Sequence, residues 1–96
     1  MIESVADKPT AQVLAGQPTR KLPADIQTRA RDVLIMLDSL QSSQQLLTLP
    51  GLRAHKLSAK GRPHLWSLRI NAQWRITFDW DEATHSAHNV QIIDYH

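Results

Sequence analysis

Several side chains in the second half of this chain are of the types that handle phosphate esters: His55, Arg69, Arg75, Asp94, Tyr95 and His96, with Lys60 and Arg62 between the first two. Attack of a ribose 2′-hydroxyl on the neighbouring phosphate needs a base, an acid for the departing 5′-oxygen, and cations for the charge that builds on the phosphorane. The two histidines can exchange protons, the arginines can hold phosphate, and Tyr95 can stack on a base or hydrogen-bond to a sugar. With His96 as the final residue, its own α-carboxylate favours the imidazolium form, which makes this histidine a proton donor near neutral pH. Spacing alone does not bring these groups together; the elements that carry them must.

The clearest helix lies at about residues 23–41. Pro23 suits its first position, Asp25 favours the positive end of its dipole, and Ile26, Ala30, Val33, Leu34, Leu37 and Leu40 recur at helical spacing. Its other face carries Arg29, Arg31, Asp32 and Asp38, as expected for a helix lying on a sheet. Ahead of it, Ile2 to Val5 reads as a short edge strand, and Thr10 as the cap of a brief helix that stops at Gly16. Gln41 to Gln45 either continues the long helix poorly or begins the loop that turns at Pro50-Gly51.

From Leu52 onward the apolar period changes to two. Trp66, Leu68 and Ile70 alternate with Ser67, Arg69 and Asn71, and Trp74, Ile76, Phe78 and Trp80 alternate with Arg75, Thr77 and Asp79. The pair predicts a hairpin with a tight connection at Asn71 to Gln73, followed by a last strand at about 89–93. The fold class is therefore α+β, with two N-terminal helices packed on a small, mostly antiparallel sheet in one domain spanning residues 1–96. One sheet face is apolar core, including all three tryptophans; Arg69, Arg75 and Thr77 emerge on the other.

Parity also constrains the tail. In a regular last strand, Asp94 and His96 would point with Val90 and Ile92 into the apolar side, where ionised groups are costly. Regular pairing is thus predicted to end near Ile93, with the tail curling over the cationic face towards Arg75.

Composition bounds the rest. The 96 residues include 42% apolar and 21% charged side chains, enough for one core. The absence of cysteine excludes disulfides, thiolate metal sites and a cysteine nucleophile. The early Glu3 argues against a signal peptide, and no apolar run reaches the roughly 20 residues of a membrane helix, so the cytoplasm is the expected compartment and no membrane role follows. Between Asp38 and Asp79 there is no Asp or Glu, while Arg53, Lys56, Lys60, Arg62, Arg69 and Arg75 all fall there. Such a stretch either attracts a polyanion or forms a solvated basic face balanced by Asp79, Asp81 and Glu82. His85-x-x-His88 has the spacing of a metal pair but no evident third ligand, so no metal or other cofactor is expected.

Three blocks carry a family resemblance: Arg53-Ala54-His55-Lys56-Leu57, Trp66-Ser67-Leu68-Arg69-Ile70-Asn71-Ala72-Gln73-Trp74-Arg75-Ile76-Thr77-Phe78, and Val90-Gln91-Ile92-Ile93-Asp94-Tyr95-His96. Together they resemble the HigB-type toxins of the RelE/ParE superfamily, and the likeness spans nearly the whole chain. It implies a RelE-like microbial RNase fold and a toxin of a type II toxin-antitoxin system. The implied activity is ribosome-dependent, metal-independent cleavage of messenger RNA that inhibits translation. The implied partner is a HigA-type helix-turn-helix antitoxin, which would link the toxin indirectly to operator DNA. By matching motif, the resemblance places His55, Asp94, Tyr95 and His96 in the catalytic set and Arg75 and Arg69 on phosphate. The turn after His55 departs from the family: Ser58 to His64 is one residue longer, and Lys60 or Arg62 would supply the family's lysine charge. Two other functions suit the same fold: a ParE-like inhibitor of DNA gyrase without nuclease activity, and an inactive homologue that serves only as antitoxin partner.

Overall fold

The computed structural model describes residues 1–49, 51–57 and 61–94. Three helices, α1 (Lys8–Leu14), α2 (Ala24–Asp38) and α3 (Ser43–Leu46), precede four strands, β1 (His55–Lys56), β2 (Leu65–Arg69), β3 (Trp74–Asp81) and β4 (Ser86–Asp94). The strands form one antiparallel sheet in the order β1-β2-β3-β4. The α+β expectation holds, with α3 as an addition.

The helices begin and end where local polar groups permit. Asp7, not Thr10, caps α1: its carboxylate accepts from the Thr10 N–H at 3.0 Å. Thr10 is instead fully buried, and its hydroxyl accepts from the Ile92 N–H of β4 at 3.0 Å. Pro23 sits one place before the first turn of α2, and that helix ends at Asp38, short of the expected 41. The cause lies just downstream. Ser42 and Gln45 form a reciprocal capping box that starts α3, so the chain begins a new helix rather than extending the old one.

Ile26, Ala30, Val33, Leu34 and Leu37 of α2 bury against Trp66, Leu68, Ile76, Phe78 and Trp80 of the sheet in one core. Each Val, Leu, Ile or Phe side chain fully removed from water there contributes about 1.5–3 kcal/mol of transfer free energy before entropic costs. Trp66 and Trp80 are buried in this core as expected, whereas Trp74 is partly buried at its margin.

Strand β4 starts three residues earlier than alternation suggests, because a bulge interrupts its period. Thr77 pairs with Gln91 and Asp79 with His88, so Asn89 and Val90 together oppose Phe78. Asn89 occupies the bulge with φ of 54°, a left-handed conformation that asparagine tolerates better than most residues. Ala87 and Val90 are both fully buried although three positions apart. The N-terminal segment matches this spacing: Ile2 bridges Ala87 and Val5 bridges Val90, both in parallel. The Ser4 hydroxyl accepts from the displaced Asn89 N–H at 2.8 Å. The expected edge strand at residues 2–5 is therefore a pair of bridges fitted to a bulge.

Candidate functional site

Residues directly opposite in an antiparallel ladder share a face. On the side away from the helices, the register therefore sets out three rows: Arg69, Arg75 and Ile93; then His55, Ser67, Thr77 and Gln91; then Leu65, Asp79 and His88. The first row puts two arginines face to face across β2 and β3, with Cβ atoms about 5 Å apart, and His55 lies on the diagonal from Arg69 at about 7–8 Å. His55 is exposed, and Arg69 and Arg75 are half-buried. This part of the sheet thus concentrates positive charge beside an imidazole, an arrangement suited to an anion with several oxygens.

The hairpin tip holds the Arg75 side chain. The Asn71 carboxamide oxygen accepts from the Gln73 and Trp74 N–H groups, both at 2.8 Å, which fixes the turn. The turn in turn directs the Asn71 and Trp74 carbonyls at Nη1 of Arg75, the latter at 3.3 Å. The same tip reaches the end of β4, where Gln73 Nε2 donates to Asp94 at 3.1 Å. Asn71 and Gln73 are organising residues that period-two reading passes over as connection. An Asn followed by two polar-tolerant turn positions is the signal that would have found the first of them.

Asp94 stands differently from the expectation. Trp74 pairs with Asp94, so regular pairing runs one residue past Ile93. By alternation the aspartate belongs with Ile92 on the helix-facing side of the sheet, not with Arg75. It escapes burial because the sheet runs out at this point: Asp94 is exposed, while Ile92 is 5% exposed. The bulge at Asn89 lies upstream of Ile92 and leaves the parity of Asp94 unchanged. Tyr95, His96 and Lys60 fall outside the described residues, and with them the predicted curl of the tail.

Arg62 lies at the other end of the face. Its guanidinium makes a two-pronged pair with Asp79, Nε donating at 3.1 Å and Nη2 at 2.9 Å. Asn89 Nδ2 adds a third donor to Asp79 at 3.1 Å. Burial alone would raise the Asp79 carboxyl; hydrogen bonds from Arg62 and Asn89, with the Arg62 charge, outweigh it and hold the group below its usual range. Asp79 is four residues from Arg75 along β3, so this pair sits about 13 Å from the arginine row. Arg62 is therefore remote from Arg69 and Arg75, and its charge is matched. Between the two ends, Ser67 and Thr77 are each 7% exposed, which closes the middle of the face. Thr77 has the predicted parity without the predicted exposure.

No group of three or more His, Asp or Glu side chains among the described residues is placed to hold a metal ion. His88 instead approaches the buried Ser86 hydroxyl, Nε2 to Oγ at 3.1 Å, while the His85 carbonyl accepts from the Met1 amine at 3.0 Å. No described helix is long and apolar enough to cross a membrane.

Residues 3–96 match the family described as the RelE-like toxin of the type II toxin-antitoxin system HigB. The chain belongs to this HigB-like toxin family. No curated protein matches it significantly. Membership makes the chain a toxin of a type II system and implies a protein antitoxin as its partner. The α+β architecture agrees with the RelE-like fold. In this HigB-like toxin, the cationic row is built on β2 and β3, the most regular pairing in the sheet, which gives its side chains a rigid base.

Proposed function

We propose that this HigB-like toxin is a metal-independent endoribonuclease that cuts messenger RNA on the translating ribosome and is neutralised by a HigA-type helix-turn-helix antitoxin, through which it reaches operator DNA. The observation that carries this reading is the Arg69–Arg75 row with His55 on the same sheet face. A scissile phosphate held by both arginines is bound most strongly when it gains charge in the phosphorane. Arg75, oriented by the hairpin carbonyls, is the main phosphate contact. His55 transfers or orients the proton of the attacking hydroxyl, and His96 is the acid for the 5′-oxygen. Tyr95 contacts the nucleotide, and Asp94, tethered by Gln73, steadies the tail. Lys60, in the same basic stretch, supplies a further cation for the phosphate.

The test is to map 5′ ends of cellular transcripts after brief induction. Cleavage within translated frames is expected for the wild type, and loss of both cleavage and growth arrest for a variant lacking His96, at unchanged thermal stability. Growth arrest with intact transcripts and DNA damage would overturn the nuclease reading in favour of gyrase inhibition. A variant lacking His96 that still cleaves would remove that residue's role.

A further inference from the structure

The arginine row has a third position. Continued by two residues, the β1–β2 register would set Arg53 against Arg69. The backbone departs from that register by one place: the Arg69 N–H donates to the Leu52 carbonyl at 2.6 Å, so Leu52 and Arg53 together oppose Arg69. Leu52 is buried in the core and Ala54 packs against it, while Arg53 between them is exposed. Alternation thus puts Arg53 on the side of His55, away from the helices.

The backbone at this position is strained. Arg53 has φ of 44°, in the left-handed region. All three glycines of the chain lie in that region, and the other non-glycine residues found there, among those described, are His85 and Asn89. Asparagine and histidine are several-fold enriched at positive φ; arginine is not. Glycine would take the same turn at no steric cost. The Arg53 guanidinium, moreover, has no ion pair or hydrogen bond among the described residues. Strain that no contact within the protein offsets marks a residue held ready for a group outside it.

That group is anionic. Neighbouring strands lie about 5 Å apart, which sets the Arg53 backbone about 5 Å from that of Arg69 and about 10 Å from that of Arg75. A phosphate gripped by Arg69 and Arg75 leaves Arg53 on its outer side, open to the next phosphate along a single strand. We infer that Arg53 binds the backbone phosphate beside the scissile one, so that the row reads two successive phosphates of the RNA. The inference rests on the nuclease reading for its substrate and adds to it a residue that sets the path of the strand across the sheet.

Three substitutions test it. Arg53→Gly and Arg53→Asn suit a positive φ and remove the charge, whereas Arg53→Lys keeps it. The probes are fluorescently labelled 2′-O-methyl hexa-adenylate, which lacks the attacking hydroxyl and carries several phosphates, and the matching dinucleotide, which carries one. Affinity is read by anisotropy from about 50 to 500 mM salt. Losing one phosphate contact to a single strand lowers the slope of log affinity against log salt by about 0.7, which is about fivefold in affinity at 0.1 M salt. The expected result is that loss for both neutral variants on the hexanucleotide, affinity within about twofold of wild type on the dinucleotide, and a wild-type slope for Arg53→Lys. Arg53→Gly should melt at or above the wild-type temperature. On ribosomes the neutral variants should cleave less at unchanged sites, because a phosphate contact carries no base information. A folded neutral variant with the wild-type slope overturns the proposal. So does an equal loss on the dinucleotide, which would mean that Arg53 acts through Arg69, a wild type that holds the hexanucleotide no tighter than the dinucleotide, or a glycine variant that melts several degrees lower. Intact transcripts after induction, with the salt slopes as expected, would refute the nuclease reading alone.

Discussion

Replacing Arg69 by glutamine is expected to stabilise the protein while weakening its hold on phosphate. Arg69 and Arg75 are directly opposite in the β2–β3 ladder. Like charges in that relation destabilise a sheet by roughly 0.2–1 kcal/mol. A Coulomb estimate for two unit charges a few ångströms farther apart than the opposed Cβ atoms, in a water-like medium, gives about 0.6 kcal/mol. For a domain of this size such a gain raises the melting temperature by about 2–5 °C. Because both groups reach solvent, screening should erase the gain at 1 M salt, where the Debye length is about 3 Å. Phosphate should act in the opposite sense. An anion at ten times its Kd stabilises the folded state by about 1.4 kcal/mol, and the wild type should respond more strongly than the variant. Thermal melts of both proteins at low salt, in 1 M sodium chloride and in phosphate decide the matter. A variant that melts lower than wild type at low salt, or a gain of equal size at 1 M salt, would refute the claim that the two arginines repel one another; an equal response to phosphate would refute the shared anion site.

Thr10→Val should cost about 1–3 kcal/mol, because the buried Ile92 N–H loses its acceptor, and Thr10→Ser should recover most of it. Amide exchange at Ile92 should accelerate in the valine variant alone. Arg62→Ala should cost about 1 kcal/mol at neutral pH, a modest figure because the two side chains are 42% and 24% exposed. Since the folded state lowers the Asp79 carboxyl, its pairing stabilises above the ordinary aspartate value and is lost as pH falls through the lower folded value. Denaturant melts from neutral to strongly acid pH should therefore show the wild type and Arg62→Ala converging on the acid side; a constant gap would mean that Arg62 acts by packing.

The sequence made α2 and the β2–β3 hairpin readable because their apolar residues keep one period throughout, and parity then placed Arg69 and Arg75 on the face away from the helices. Other features escaped for specific reasons. The early start of β4 is hidden because the bulge at Asn89 separates the core positions Ala87 and Val90 by three, a spacing that fits neither strand nor edge signal. Asp7 displaced Thr10 as a cap because Thr10 is needed inside, by a strand that lies 82 positions further on. The pairing of Arg62 with Asp79 joins residues 17 apart, so sequence could offer a basic face balanced by Asp79 only as one of two readings, and at Arg62 that reading holds. Asp94 kept its ladder position because a strand's end can expose a side chain that its middle would bury. Catalytic roles at Tyr95 and His96 rest on motif alone.

The parallel bridges of Ile2 to Ala87 and Val5 to Val90 give the chain an awkward order of assembly. Residues 2–5 can take their places only against a strand synthesised about 85 positions later. Until then Phe78 and Trp80 have no β4 beside them, and closing the N-terminal segment onto β4 spans nearly the full length. A polypeptide of this design keeps its N-terminal segment unplaced until β4 has emerged. For a toxin, that delay sets a window in which a partner protein can be waiting before the fold is complete.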